Sequence, residues 1–143
     1  MKDDRLRVPV EANYVHAIGL ATFAFTRLEW DAVWCCERIA PGVIHSLADR
    51  TAGSVAKKLV ELAEGRSANV TDDLLDASKK FEELVRLRNG LVHAKPGTDH
   101  DQGQRLFRDG EAWTIDAIND AADAFTECSL RLNAILYSSL KQA

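Results

Sequence analysis

The residues able to do chemistry are concentrated in one stretch, Arg86-Leu87-Arg88-Asn89-Gly90-Leu91-Val92-His93. It combines permanent cations, a side-chain amide, and an imidazole that titrates near neutral pH. Side chains of these types can pair with an anion and exchange a proton. On a helical wheel, Phe81, Leu84, Val85, Leu91 and Val92 define an apolar arc with Arg88 at its centre. A guanidinium cannot shed its charge, so Arg88 needs either an acid or a polar cleft opening between helices.

Glu29 is the candidate acid. It lies in the apolar stripe of an earlier helix, four residues after Phe25 and seven before Cys36. Either it sits at the stripe's edge with its carboxylate reaching solvent, or it is buried and needs a cation. The second reading predicts a buried Glu29–Arg88 pair, whose disruption would cost about 3–5 kcal/mol. Asn89 and His93 are four apart and share the edge of the stripe, with Arg86 close to the same edge. His93 and Arg88 are about 140° apart on an ideal helix. Their convergence needs a deformed helix end, for which Gly90 and Pro96 are placed, or a second copy across a dimer axis. Structural roles stand beside these: His93 as a helix C-terminal imidazole on the last carbonyls, Asn89-Gly90 as a helix break, and Arg88 as an ion pair only.

Four helices must position these groups. Tyr14, Ile18, Ala21, Phe25, Leu28, Ala32, Cys36 and Ile39 recur at spacings of three and four, predicting a helix over 11–40 that Pro41-Gly42 stops. Phe23, Trp30 and Trp34 form another stripe on its opposite side, suited to a central place in a bundle or to another subunit. A connector over 43–50, with at most a helical turn, precedes a helix over 51–64 with Thr51 as N-cap and Gly65 as stop. A polar loop over 66–70 leads to Thr71-Asp72-Asp73, an N-cap with two acids in the first turn. The helix that follows carries Leu74, Leu75, Phe81, Leu84, Val85, Leu87, Leu91 and Val92 and ends near Ala94, before Lys95-Pro96-Gly97. After a polar loop over 98–103, Asp109-Gly110 marks a type I′ turn in a hairpin over 104–114, with Phe107 and Trp113 packing on the helices. The last helix runs over 116–141, with Ile118, Phe125, Cys128, Leu132 and Leu140 on its stripe. The expectation is one all-α domain over 1–143: a polar arm over 1–10, then an up-down four-helix bundle with a small β-hairpin between helices three and four.

Composition narrows the function. A chain of 143 residues can bury a core without disulfides or metal. A net charge of −4 leaves no global basic footprint for long DNA. Cys35 and Cys36 are adjacent and Cys128 makes an odd third, so a disulfide framework is not expected and a reducing cytoplasm is. No ligand spacing suggests zinc, and His100 between Asp99 and Asp101 is no metal site, because adjacent loop residues rarely converge on one ion. No apolar run approaches the length of a membrane span, and the charged Met1–Arg5 start leads into no signal peptide.

Arg88-Asn89-Gly90-Leu91-Val92-His93 resembles the signature of the HEPN superfamily: Arg, a polar residue, a short spacer, then His. The motif covers six residues, and its place near the end of the third of four helices extends the likeness to most of the chain. Many HEPN proteins are metal-independent endoribonucleases of toxin–antitoxin, phage-defence or RNA-processing type, acting as dimers with two motifs facing one cleft. Others are non-catalytic modules that bind a protein partner or nucleotide. The resemblance implies His93 as general acid/base, Arg88 as the group stabilising phosphate charge, Asn89 as an orienting residue, and Glu29 and Arg86 in support. It implies no cofactor and no metal. The implied partners are RNA, a second copy meeting through Phe23, Trp30 and Trp34, and an antitoxin or nucleotidyltransferase-like protein. The toxin variant with a Tyr two residues before its His differs here, since Leu91 stands there. With Arg86, Arg88, Lys95, Arg105 and Arg108 as the local cations, RNA binding should be weak and salt-sensitive.

Overall fold

The computed structural model describes residues 5–65 and 70–141. Residues 1–4 of the expected arm and most of the expected 66–70 loop lie outside them. The described residues are mostly helical and form five helices and a small antiparallel sheet: α1 (Ala12–Ile39), α2 (Ile44–Leu47), α3 (Ala52–Glu64), α4 (Asp72–Val92), β1 (Lys95–Thr98), β2 (Gln104–Arg108), β3 (Glu111–Ala112) and α5 (Ile115–Leu136). No helix among the described residues is long and apolar enough to cross a membrane.

The helix ends follow their capping chemistry. The hydroxyls of Thr51, Thr71 and Thr114 accept the N–H groups of Ser54, Leu74 and Ala117, each three residues on. At Pro41-Gly42, Gly42 takes φ +97°, and the Glu37 carboxylate accepts the N–H groups of Gly42 and Ile44. Those bonds hold the exposed Glu37 carboxyl below its ordinary value. α5 stops at Leu136 rather than 141, yet its stripe is completed: the Leu140 N–H donates to Ile135, and Leu140 is buried in the core.

The helices do not alternate in direction as an up-down bundle requires. Along α1 and α5 the contacts advance together: Phe25 on Phe125, Asp31 on Ser129, Cys35 on the Leu132 carbonyl. These two helices are therefore parallel. Between α4 and α5 the contacts run oppositely, Asp73 to Arg131 and Ala77 to Cys128, so α4 is antiparallel to both. The extra helix α2 (Ile44–Leu47) stands between α1 and α3, so the chain does not turn directly from one long helix into the next. α3 packs on α1 and α4. Its 13 residues span about 20 Å, whereas the 28 of α1 span about 42 Å. It cannot cover the whole gap between them.

The expected hairpin is part of a three-stranded sheet, ordered β1-β2-β3. Lys95-Pro96-Gly97-Thr98, read from sequence as a stop and loop, pairs with Phe107, Leu106, Arg105 and Gln104. Pro96 is tolerated because β1 is an edge strand, where a missing N–H need not break a ladder. Gly97 suits the close packing here: a Cβ would lie 3.0 Å from the Phe107 ring, which would have to shift. Phe107 thus packs within the sheet, while Trp113 packs on the helices and donates from Nε1 to the Gly90 carbonyl at 3.2 Å. Asp109 and Gly110 both have positive φ, as a type I′ turn demands.

Tyr14 fastens the sheet to α1. Its ring is buried, and its hydroxyl donates to the Trp113 carbonyl at 2.7 Å and accepts the Leu106 N–H at 2.9 Å. The Arg105 guanidinium lies 4.8 Å over the same ring and bridges to Glu11 at 2.9 Å. Tyr14→Phe should keep the fold but leave both backbone groups short of a partner. A loss of about 1–3 kcal/mol by urea denaturation is expected, with faster amide exchange at Leu106 than in the wild type.

Candidate functional site

Phe25 is where α1, α4 and α5 meet. Its ring stacks with Phe81 at 6.2 Å and meets Phe125 edge-on at 5.1 Å. The Arg88 guanidinium lies over the same ring, 4.6 Å from its centroid. The wheel's placement of Arg88 in the core-facing arc of α4 is therefore correct, but the residue is only half-buried. It opens into a recess of about 100 Å³ lined by Ala21, Thr22, Phe25, Thr26, Glu29, Arg88, Leu91, Val92 and Phe125. None of these residues comes from α3, whose Lys58 lies close to Cys36, farther along α1. The recess exists because the short helix leaves this end of the α1–α4 gap uncovered.

Glu29 and Arg88 share this recess, but no ion pair joins them; the observed pairs join other residues. This corrects the expectation of a buried bridge. The physical reason lies in the opening: neither charge is fully desolvated, and the guanidinium gains its contact from the Phe25 face instead. Such contacts are worth about 0.5–2 kcal/mol. Burial raises the Glu29 carboxyl above its ordinary value, and the nearby Arg88 charge partly offsets that rise. Arg88 Nε is buried and has no hydrogen-bond partner among the described residues. The hydroxyls of Thr22 and Thr26 donate back along α1 to the Ile18 and Thr22 carbonyls. Their protons are thereby committed.

The other motif residues lie elsewhere. Asn89 is half-buried and His93 is exposed, and neither lines the recess. α4 runs unbroken through Asn89-Gly90. His93 is its C-cap residue, with its N–H on the Asn89 carbonyl. Gly90 has Trp113 beside it, 3.6 Å from where a Cβ would stand. Arg86 is exposed on the far side of the helix. One chain therefore brings Arg88 to Glu29 and leaves His93 apart. Sequence reasoning missed Thr22, Thr26 and Phe125 as recess residues, although Thr22 and Thr26 are one turn apart and flank the Phe25–Glu29 edge.

Phe23, Trp30 and Trp34 are exposed, with the two indoles edge-to-face at 6.1 Å. Among the described residues no helix covers them fully: they are 36–68 % exposed. Thr26 of the recess and Trp30 of this stripe are four residues apart, so the two surfaces adjoin on α1. On the α1–α5 side, Asp31 accepts from Ser129 at 2.5 Å and from Asn133 at 3.3 Å, a structural clamp. The thiols of Cys35, Cys36 and Cys128 are buried and free. Burial pushes Cys36 up to about 12 and Cys128 up to about 11, so they are unreactive thiols. In the 98–103 loop, Asp99 and Asp101 accept the backbone N–H groups of His100 and Gly103. Among the described residues no three His, Cys, Asp or Glu side chains are grouped to hold a metal ion. Compared with family models, with curated proteins and with solved structures, the chain matches none.

A carboxyl whose folded value is raised favours folding in its neutral form. That contribution is present at low pH and is lost as pH rises through the folded value. Glu29→Gln should therefore be least stabilising, relative to wild type, in acid and gain steadily towards neutral pH. Paired thermal melts across that range check this; a constant difference would contradict it.

Proposed function

We propose that the chain is a HEPN-like, metal-independent endoribonuclease of toxin, phage-defence or RNA-processing type that acts as a homodimer. The observation that carries this reading is Arg88: a guanidinium held on an aromatic face at an open recess, tied to no carboxylate, with Nε unmatched. A structural ion pair would have occupied it. Left as it is, it is available to a phosphate.

In this reading a ribose 2′-hydroxyl attacks the adjacent phosphorus. His93 accepts the hydroxyl proton and returns it to the leaving 5′-oxygen, and the products are a cyclic phosphate and a 5′-hydroxyl end. Arg88 offsets the charge that builds on the phosphoryl oxygens. Asn89 orients the site. An imidazole is suited to both proton transfers, because either ring nitrogen can hold or give up a proton. Arg88 and His93 diverge on α4, so the second copy supplies the missing partner, and the Phe23–Trp30–Trp34 stripe beside the recess is the proposed contact. Arg86 and Lys95 are exposed cations near the motif, whereas Arg105 is engaged by Glu11 and Arg108 lies 3.9 Å from the Asp109 carboxylate. Few phosphates are neutralised, so binding should weaken steeply with salt.

A second reading is favoured by the same exposed stripe: a non-catalytic HEPN-like module that binds a protein partner or nucleotide, an antitoxin or nucleotidyltransferase-like protein among the candidates. Incubating purified protein with RNA in EDTA separates the two. The nuclease reading expects cleavage, reduced at least about 100-fold by His93→Ala with the melting temperature unchanged. Equal cleavage by the variant contradicts it, and no cleavage by either form favours the binding module.

A further inference from the structure

We propose that the recess between α1 and α4 is an oxyanion site that fills together with a proton on Glu29. This rests on the reading of Arg88 as an oxyanion-binding group, and extends it to the α1 wall.

The recess size sets the ligand class. A cavity of about 150 Å³ takes a benzene ring; this one is about 100 Å³. It has room for a group of phosphate size. The ligand class proposed is therefore the phosphate backbone of a nucleic acid.

The lining sets the proton. The charged groups facing the space are Arg88 from α4 and Glu29 from α1; α5 contributes only Phe125. The two threonine hydroxyls have already given their protons to α1 carbonyls, so they meet an oxyanion as acceptors. Arg88 is then the one ready donor in the recess. An ionised Glu29 would stand beside the incoming anion, unbridged to Arg88. Protonation removes that repulsion and turns Glu29 into a second donor. Its half-burial, which already disfavours the charged form, works in the same direction.

Sulfate is the probe, because it does not change its charge between about pH 5 and pH 8, so any proton taken up from solvent on binding goes to the protein. Titration calorimetry on the full chain should show sulfate affinity falling as pH rises, by up to about tenfold per pH unit for one coupled proton. Glu29→Gln should bind with an affinity that does not vary with pH, and Arg88→Gln should not bind. The same pH slope in Glu29→Gln, or binding that survives Arg88→Gln, overturns the proposal. Should Glu29→Gln fail to fold, sulfate binding to a His93→Gln chain in two buffers of different ionisation heat counts the protons directly. Uptake supports the coupling, and none overturns it. A chain that shows this coupling but cleaves no RNA keeps the oxyanion site and loses the nuclease reading; one that cleaves RNA with a pH-independent sulfate site does the reverse.

Discussion

A permanent cation placed in the core-facing arc of a helix constrains everything around it. Arg88 cannot lose its charge, so the fold must give it either a full complement of partners or a route to solvent. It receives some of each. The Phe25 ring supports the guanidinium from below, and Phe81 and Phe125 fix that ring from two other sides. The short α3 then leaves the α1–α4 gap open above it. The apolar three-ring cluster and the polar recess are thus one construction: the cluster determines where the cation sits, and the missing helical coverage makes that position tolerable.

The parallel arrangement of α1 and α5 serves the same end. Tyr14 at the start of α1 reaches two neighbouring backbone groups of the sheet, the Leu106 N–H on β2 and the Trp113 carbonyl just after β3. Trp113 in turn holds the Gly90 carbonyl within the motif. The sheet is therefore a brace between the N-terminal end of α1 and the C-terminal end of α4, the two helix ends that flank the recess. Asp31, shared by Ser129 and Asn133, ties α1 and α5 farther along. These polar contacts fix the relative slide of the helices, which apolar packing alone specifies less sharply.

Much of this was legible in the sequence where one residue type answers to one local rule. The threonine caps, the Pro41-Gly42 stop, the Asp109-Gly110 turn and the stripes of α1, α3, α4 and α5 follow from spacing and backbone chemistry. The placement of Arg88 in the buried arc and of Glu29 beside it came from the same wheel. What spacing cannot carry is the relation between elements. Helix direction depends on the connection through α2, which is too short to show a periodicity. β1 was hidden because Pro96-Gly97 signals a stop in isolation and becomes a strand only once β2 lies beside it. The direct Glu29–Arg88 bridge was expected because two charges facing one core seemed to have no other outlet. The length of α3, not either residue, supplied that outlet.

Arg88 lies inside the recess and His93 outside it, and on the proposed reading one catalytic site draws them from two copies of the chain. The most direct measurement is to mix Arg88→Ala and His93→Ala chains, each inactive alone, after dissociation and reassembly, and to assay RNA cleavage in EDTA. If Arg88 and His93 of one site come from different copies, each mixed dimer has one intact site and activity returns. No activity in mixed dimers whose assembly is verified would contradict the shared site.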